Sequence, residues 1–467
     1  MKIALIFTPL RLKNNWSTLI AQDEHIGIMP PLSLAYAAAI AEKSGHKVII
    51  IDAVAERLSL KSVTQRIKEF SPDILGFTLT TYGFHQALSW IRSIKERVNI
   101  PVMVGGWHLS IYPRQTMHHA AIDYAVIGDA ENILPDFLAA LESGGSLHAV
   151  KGIAFKESGQ VIITPAAAST TDLDTVPFPA RHLLKNDLYY NILSRVKNFT
   201  VMLSARGCPY QCIFCDLNTR KFRMRSAKNF VDEIEIGYKE FGIREFDIYD
   251  SSFTIDNQRV LKICEEIIRR RLNVFWTVRS RIDTVDKDLL RSMAEAGCNT
   301  IMYGIESAHP GILRSLNKYN DADTVKQVIS WSKESGIKTL GFFMLGAPGE
   351  TPETADETIK LMTALDLDYV QVTKLTPFPN TKIYSMLLEK GFGDYWSEFT
   401  MDASKEKELP LINTALSCAE VRKLVRRAYL SFYFRPSYVI KALKRTRSLL
   451  ELRNSLKAAI GLLFTNQ

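Results

Sequence analysis

Apolar runs and amphipathic stretches alternate along the first 145 residues of the chain. The short apolar runs predict strands, because buried parallel strands read as continuous apolar segments. The predicted strands cover residues 3–7, 47–52, 74–80, 102–105 and 124–128. The stretches between them repeat their apolar positions every three to four residues and predict helices near residues 32–44, 62–69, 84–97 and 133–141. This alternation predicts a doubly wound, Rossmann-like α/β domain over residues 1–145.

A second alternation of the same kind begins at residue 199. Its predicted strands lie at residues 201–204, 245–249, 274–278, 300–304, 339–345 and 369–375. Strand–helix units repeated in this way predict an incomplete (β/α)6 barrel over residues 199–390, and a second open sheet stays the alternative. Residues 146–198, which include Pro177-Phe178-Pro179, are predicted to link the two domains. Residues 391–467 are predicted to form a C-terminal basic helical region.

The strand ends of the first domain carry small and polar residues. Ligands of doubly wound sheets bind beyond the carboxyl ends of the strands, and small residues let a large ligand approach the backbone. Ordinary strand-to-helix turns are the plain alternative. A dinucleotide is not predicted, because Thr8-Pro9-Leu10 stands where Gly-x-Gly-x-x-Gly would follow the first strand. The candidate ligand-binding residues are Thr80, Thr81, Gly105, Gly106, His108, Gly128, Asp129 and Glu131.

Composition and charge narrow the class of protein. A hydrophobic share of 46% with 23% charged residues predicts a folded chain. The N-terminus has no cleavage-site pattern and no apolar stretch approaches membrane-spanning length, so we expect a cytoplasmic protein. The net charge of +8 is concentrated at residues 422–457, which hold eleven Lys and Arg against one acid, Glu451. This segment predicts either contact with an anionic membrane face or a helical cap on the barrel with a solvated basic side.

Three of the six cysteines fall within eight residues, directly after the first predicted strand of the second domain. A barrel places its active-site loops at this end of its strands. Cys208, Cys212 and Cys215 form a Cys-x3-Cys-x2-Cys motif, which supplies three thiolates to a 4Fe-4S cluster and leaves one iron open. A zinc site is the main alternative, but no His or Cys follows before residue 264 to complete it. The remaining cysteines are isolated and are predicted to be small buried hydrophobic residues: Cys264, Cys298 and Cys418.

The cysteine motif, with Phe214 just before the last cysteine, resembles the signature of the radical SAM superfamily. The resemblance implies that S-adenosylmethionine (SAM) chelates the open iron, and that one electron from the reduced cluster breaks SAM to give a 5′-deoxyadenosyl radical that removes a substrate hydrogen. Glu306 is expected to accept from the methionine ammonium and Arg281 to bind the carboxylate. Helix capping, turns and ion pairs are the plain alternatives. The implied SAM contacts are Phe214, Asp250, Ser251, Arg281, Gly304, Glu306, Gly346 and Pro348.

A doubly wound domain before such a barrel resembles the cobalamin-binding domain of cobalamin-dependent radical SAM enzymes, which include the class B methylases. The resemblance implies that the strand-end residues from Thr80 to Glu131 border cobalamin, with Gly105 and Gly106 leaving room for its dimethylbenzimidazole tail. One motif is missing: Asp-x-His-x-x-Gly supplies a cobalt ligand in other cobalamin proteins, and the spacing around His25 differs. Members that lack this histidine still hold cobalamin, so cobalamin stays the expected cofactor.

The resemblance implies methyl transfer from methylcobalamin to an unactivated carbon. The same cofactors would also serve cyclisation, ring contraction or another rearrangement, as in the anaerobic magnesium-protoporphyrin ester cyclase, and no residue of the sequence decides between them. A non-catalytic iron–sulfur sensor or nucleic-acid-binding protein is the distant alternative. The segment from Phe432 to Pro436 resembles the tails of members that act on tetrapyrroles and isoprenoid lipids, so we expect a bulky apolar substrate. Flavodoxin or ferredoxin is the expected reductant, with peripheral contact at the inner membrane face and no nucleic acid.

Overall fold

The chain folds into two mainly parallel sheets, each covered by helices, as the predicted fold class requires. The computed structural model describes residues 1–9, 27–191, 193–217 and 221–445. The strands of the first part are β1 (Lys2–Phe7), β2 (Gly27–Ile28), β3 (Lys47–Asp52), β4 (Ile74–Thr78), β5 (Val102–Gly105), β6 (Tyr124–Val126), β7 (Ile153–Glu157), β8 (Gln160–Ile163) and β9 (Tyr190–Asn191). Its helices are α1 (Leu32–Lys43), α2 (Leu60–Phe70), α3 (Phe84–Lys95), α4 (Pro113–His118) and α5 (Leu134–Ser143).

The first sheet has the order β3-β1-β4-β5-β6-β7-β8 and is parallel from β3 to β6. The strand order reverses beside β1, which is the position where ligands of doubly wound sheets bind. The last two strands are an antiparallel hairpin inside the segment that was predicted to be a linker. Its turn is Ser158-Gly159, with positive φ at both residues, as tight two-residue hairpins require. The first sheet therefore continues to residue 163, beyond the predicted boundary at residue 145.

The second sheet is a six-stranded, fully parallel half-barrel with the order β10-β13-β14-β15-β16-β17. The strands of this part are β10 (Phe199–Met202), β11 (Ala205–Arg206), β12 (Arg223–Met224), β13 (Glu245–Ile248), β14 (Phe275–Ser280), β15 (Cys298–Glu306), β16 (Lys338–Leu345) and β17 (Tyr369–Lys374). Its helices are α6 (Ala227–Phe241), α7 (Asn257–Arg269), α8 (Lys287–Glu295), α9 (Pro310–Ser315), α10 (Ala322–Glu334), α11 (Pro352–Ala364), α12 (Lys382–Glu389), α13 (Tyr395–Met401), α14 (Cys418–Tyr433) and α15 (Pro436–Arg445).

Local sequence sets where the outer helices begin. Most of the helices around the half-barrel start after a Ser, Thr or Asp whose side chain accepts from a backbone amide of the first turn, and such caps stabilise a helix start by about 1 kcal/mol. The capping residues are Ser226, Asp256, Asp286, Asp321 and Thr351. The helices cover the strands with one large apolar core that also takes in α14.

The C-terminal helices cover the open edge of the half-barrel. The hydroxyl of Tyr429 donates to the carbonyl of Val372 (3.1 Å) and accepts from its amide (3.0 Å), and Tyr433 does the same at Val370 (3.0 and 3.1 Å). Tyr438 donates to a further carbonyl just before β17 (3.2 Å). Helices α14 and α15 of the C-terminal region therefore form a helical cap on the barrel. Residues 446–467 lie outside the described residues.

Two further predictions from the sequence are tested by the fold. Cys264 and Cys298 are buried, as predicted, whereas Cys418 at the start of α14 is only partly buried. None of the helices in the described ranges is long and apolar enough to span a bilayer.

Candidate active site

The three cysteines of the motif lie on a loop at the carboxyl end of β10. The loop leaves and returns through the antiparallel ribbon of β11 and β12, in which Arg206 pairs with Arg223. Cys208, Cys212 and Cys215 are all partly buried. Main-chain pairing therefore closes this cysteine loop at its base.

Asp250 and Ser251, both predicted SAM contacts, hold the start of the cysteine loop. Asp250 accepts hydrogen bonds from the amides of Ser204 (2.7 Å) and Ala205 (3.0 Å) and from the Ser204 hydroxyl. The Ser251 hydroxyl donates to the carbonyl of Gly207 (2.6 Å). Burial raises the pKa of Asp250, although the bonds from Ser204 oppose the rise. Both side chains position the backbone just before the first cysteine, and their contact with SAM stays a prediction.

The middle of the cysteine loop is clamped between two helical segments. The amide of Ile213 donates to the carbonyl of Leu316 at the end of α9 (3.2 Å), and its carbonyl accepts from the amide of Ile383 in α12 (3.0 Å). The side-chain amide of Asn317 donates to the carbonyl of Gln211 (2.7 Å). The backbone around Cys212 is thus fixed from both sides.

The chemistry of the thiols fits a cluster better than a single metal ion. Burial raises the pKa of Cys212, with Lys318 and Arg281 opposing the rise, and raises the pKa of Cys215 to about 11. These thiols are therefore protonated until a metal displaces the protons. Among the described residues, no three His, Cys, Asp or Glu side chains converge as the ligands of one ion would. The thiolates of a 4Fe-4S cluster bind different irons, so they need not converge in this way.

Glu306 ends β15 in a strained conformation beside the cysteine loop. Its φ is +67°, and the register between β15 and β16 shifts between Gly304 and Glu306. The carboxylate forms a buried ion pair with Nζ of Lys318 (2.8 Å). A Cβ at Gly304 would lie 2.5 Å from that Nζ and 2.7 Å from the carboxylate oxygen, so a glycine leaves room for the pair. Non-glycine residues with such backbone angles cluster at functional sites.

Lys318 is the site residue that the sequence analysis does not single out. It follows α9 in a short turn, where a lone lysine usually lies in solvent. Its burial depends on the fold of the turn, in which Asn317 adopts a φ of +55°. The signal in the sequence that could have identified Lys318 is that it is the only lysine between Glu306 and α10, twelve residues after Glu306.

Arg281 reaches over the cysteine loop from the end of β14. Its guanidinium carbon lies 3.8 Å from the ring centroid of Tyr210. Two hydrogen bonds of 2.7 and 2.6 Å join it to Asp283. A SAM carboxylate at this position would therefore share the guanidinium with Asp283, and the contact stays a prediction.

The loop after β16 contains a buried carboxyl group. The amide of Gly346 donates to the side chain of Glu350, which is completely buried, and burial raises the pKa of Glu350 to about 7. Its Oε1 has no hydrogen-bond partner among the described residues. The carbonyl of Pro348 accepts from the hydroxyl of Ser315 (2.8 Å), which ties this loop to α9. Phe214 packs against the same apolar cluster as the loop.

His108 in the first domain is an internal residue. It is fully buried, its Nδ1 lies 3.1 Å from the Thr81 hydroxyl, and its Nε2 lies 3.4 Å from the hydroxyl of Thr400 in α13. Burial lowers the pKa of His108 to about 3, so the ring is neutral. Thr80 accepts from the amide of Gly83 in the same turn (3.3 Å). His108 therefore joins the first domain to α13 with both ring nitrogens engaged.

The glycines at the strand ends differ in the space beside them and in their backbone angles. A Cβ at Gly105 would meet nothing within 4 Å, so this position borders open space. Gly106 has a φ of +111°, and a Cβ there would lie 2.5 Å from the carbonyl oxygen of Leu79. Gly128 has a φ of +128°. Gly106 and Gly128 are thus required by the local backbone, whereas Gly105 keeps a space that a cobalamin tail would need. His25 lies outside the described residues.

Asp129 and Glu131 connect the first domain to the base of the cysteine loop. Arg223 donates to Asp129 (2.8 Å), and Arg206 donates to Glu131 (2.6 Å) and lies 3.4 Å from Asp129. The amide of Thr170 also donates to Asp129 (3.1 Å). Burial alone would raise the pKa of Asp129, but the bond and charge of Arg223 with the charge of Arg206 hold it below its usual value. The two arginines flank the cysteine loop, so this network couples the loop to the first sheet.

An aromatic group lies between the two domains. Tyr82, from the turn after β4, contacts the ring of Phe378 (centroids 4.8 Å apart), and Trp396 of α13 lies 5.6 Å from Phe378. Tyr82 is 41% exposed, yet burial and the charge of Asp216 raise its pKa. The exposed part of this ring is available to a ligand, whereas Trp396 is buried.

The family comparisons agree with this arrangement. The family model of the B12 binding domain matches residues 24–138, and that of the radical SAM superfamily matches residues 202–362. An uncharacterized methyltransferase of Pyrococcus horikoshii is 33% identical over 419 residues, which are 88% of this chain and 89% of the relative. The chain belongs to the cobalamin-binding radical SAM enzymes. An anaerobic magnesium-protoporphyrin IX monomethyl ester cyclase of Rubrivivax gelatinosus is 31% identical over 378 residues, 79% of this chain and 68% of the cyclase.

Solved structures of this enzyme family share the two-domain fold. The radical SAM methyltransferase TsrM of Kitasatospora setae, solved with cobalamin and a 4Fe-4S cluster, has a TM-score of 0.67 at 21% identity and covers 83% of this chain and 75% of its own. The cobalamin-dependent radical SAM enzyme OxsB, solved with aqua-cobalamin and SAM, has a TM-score of 0.70 at 17% identity and covers 98% and 70%. The family models and the archaeal relative make the chain a radical SAM enzyme, and the expected cofactors, a 4Fe-4S cluster, SAM and cobalamin, are those bound in these structures.

Proposed function

We propose that this radical SAM enzyme is a C-methyltransferase that acts on an unactivated carbon of a bulky apolar substrate. The observation that carries the methyl transfer is the relationship to the archaeal methyltransferase, which spans 89% of that protein. The exposed ring of Tyr82, packed against Phe378, supports an apolar substrate, because aromatic rings favour large hydrophobic surfaces. A lipid or a tetrapyrrole has this chemistry.

The chain's own residues position the reactants. When bound, the cluster and SAM would supply a hydrogen-abstracting radical, and cobalamin would supply the methyl group. Glu306, oriented by Lys318, accepts from the methionine ammonium, and Arg281 binds the carboxylate. Asp250 and Ser251 hold the cysteine loop in register with these groups. Side chains held in place before SAM arrives would lower the entropic cost of orienting it.

Methyl transfer is tested by anaerobic turnover with methyl-deuterated SAM and a panel of lipids and tetrapyrroles. The expected result is a product that carries the labelled methyl group, formed together with deoxyadenosine. The matched control is Cys208→Ala, which removes one cluster ligand and should form neither. Deoxyadenosine without a labelled product overturns the methyl transfer.

Oxidative cyclisation is the second candidate, favoured by the 31% identity to the anaerobic cyclase over 68% of that enzyme. It uses the same cofactors and leaves no transferred methyl group in the product. In the same turnover experiment it predicts an unlabelled product formed in step with deoxyadenosine. The mass of the product therefore separates the two reactions.

Cobalamin binding is tested independently of turnover. Protein purified from cells supplied with cobalamin should show a corrin spectrum in the visible range. If no corrin co-purifies and none binds on refolding, the first domain has another ligand.

The C-terminal helices support a peripheral membrane contact. Phe434, Val439 and Ile440 are exposed on or next to α15, in a region rich in Lys and Arg. Apolar and basic side chains on one helix favour anionic lipid surfaces. Flotation with anionic vesicles should recover the enzyme, and flotation with zwitterionic vesicles should not. Equal recovery with both would contradict the electrostatic part of this proposal.

A further inference from the structure

A cleft of about 720 Å³ lies against the outer side of the cysteine loop. Gln211 and Ile213, the two neighbours of Cys212, form part of its wall. The rest of the wall comes from the end of α9 with its following turn and from the start of α12. Two residues that line the cleft are thus directly next to a predicted cluster ligand in the chain.

The charges around this cleft have one sign. Arg314 and Lys382 line it and are exposed, and no carboxylate is among the described residues that line it. Tyr319, on the adjoining turn, is 66% exposed and adds an aromatic surface. A cationic cleft with mainly polar walls and an exposed aromatic ring beside it fits a transient complex with an acidic protein, because electrostatic steering favours the encounter and a small interface lets the partner leave.

Two features separate this surface from ordinary solvated basic residues. Lys382 is the first residue of α12, where the helix dipole disfavours a cation, and the first turn contains no acidic residue. Its charge therefore does not serve the stability of the helix. In addition, α9 and α12 are the segments whose backbones hydrogen-bond to Ile213 on either side, so Arg314 and Lys382 are fixed relative to the cysteine loop.

We infer that this cleft is the docking surface for an acidic one-electron carrier protein, which reduces the cluster. The inference rests on the proposed function, since it assigns the partner of the same site. One electron leaves the reduced carrier, which is oxidised by one equivalent, and enters the cluster. Reductive cleavage of one SAM to methionine and the deoxyadenosyl radical then consumes that electron.

The first test measures binding of flavodoxin to the reconstituted enzyme by biolayer interferometry at low ionic strength. The Arg314→Glu/Lys382→Glu double variant should raise the Kd about tenfold, and the difference should shrink as salt is added. The matched control is Lys61→Glu/Lys262→Glu, which changes the net charge equally at exposed lysines of α2 and α7. Lys382→Glu favours the start of α12 whereas Arg314→Glu disfavours the end of α9, so the dithionite-driven rate of the double variant serves as the check on its folding.

The second test compares deoxyadenosine formation with reduced flavodoxin and with dithionite, which needs no docking surface. The double variant should lose most of the flavodoxin-driven rate and keep the dithionite-driven rate. An unchanged Kd, an equal effect of the control variant, or equal loss with both reductants overturns the inference. Absence of deoxyadenosine with dithionite in the unsubstituted enzyme contradicts the proposed function instead, and the binding test still decides the docking surface.

Discussion

Replacing Lys318 by methionine tests how far the strained end of β15 depends on its buried ion pair. The side chains of Lys318 and Glu306 are 6% and 10% exposed and their charged atoms lie 2.8 Å apart. Methionine keeps the length of the apolar stem and removes the charge. Breaking a buried pair by removing one partner costs about 3–5 kcal/mol, because the other charge stays buried without compensation. We expect a loss of about 3 kcal/mol, at the low end, because Glu306 lies at a strand end.

The assay is thermal unfolding of the protein before cluster reconstitution, followed by circular dichroism. For a domain of this size, 1 kcal/mol corresponds to about 2–4 °C, so the Tm of Lys318→Met should fall by about 6–12 °C. The Lys318→Met/Glu306→Gln double variant removes both charges and should recover most of this loss. Lys326→Met, at an exposed lysine of α10, is the control and should change the Tm little. If the single and double variants lose the same stability, the uncompensated charge is not the cause and the reasoning fails.

Four further substitutions test other parts of the site. Asp250→Asn weakens the acceptor for two amides and a hydroxyl at the start of the cysteine loop. It should lower iron incorporation, while the Tm falls by only a few degrees. Unchanged iron content would contradict the positioning role of Asp250. Because the pKa of Glu350 is raised from 4.5 to about 7, the folded chain binds a proton that the unfolded chain releases, and stability should fall as the pH rises from about 4.5 to 7. Glu350→Gln should remove this slope, up to about 3 kcal/mol in urea unfolding, and an identical slope in both proteins would refute the assignment. Gly105→Leu should prevent a corrin from co-purifying and leave the Tm unchanged. Gly106→Ala should instead lower the Tm, because its Cβ would meet the carbonyl oxygen of Leu79. A corrin retained by Gly105→Leu would refute the position of the cobalamin tail beside Gly105.

The parallel strands of the first sheet were predictable because most of them are apolar on both faces, and those of the second sheet because strand and helix patterns repeat regularly. Runs such as residues 3–7 have few alternative structures, and the order of strands and helices fixes the fold class. The hairpin of β7 and β8 was missed, since its strands are short, β8 is only partly buried, and its turn depends on two positive φ angles. Local turn chemistry of this kind carries a weak signal beside a Pro-rich segment.

The cluster ligands could be predicted from their spacing along the chain, but the residues that surround the cysteine loop could not. Lys318 and Tyr82 come from segments distant from the cysteines, and Arg223 pairs with Asp129, which is 94 residues away in the chain. The same applies to Asp129 and Glu131, which the sequence assigned to cobalamin and which form ion pairs with arginines of the second domain. Which strand ends face a ligand and which face the protein is set by tertiary contacts, and a single sequence does not record them.

The tyrosine hydroxyls on β17 bear on how the enzyme behaves at high concentration. An unpaired outer strand is a template on which a second copy can add its own strand. Here the phenols of Tyr429 and Tyr433 each occupy one amide and one carbonyl of that strand, so its hydrogen-bonding groups are taken by side chains of the same chain. A protein shortened before α14 would keep every strand of the half-barrel and would lose this protection. We therefore expect the shortened protein, unlike the full chain, to self-associate through β17.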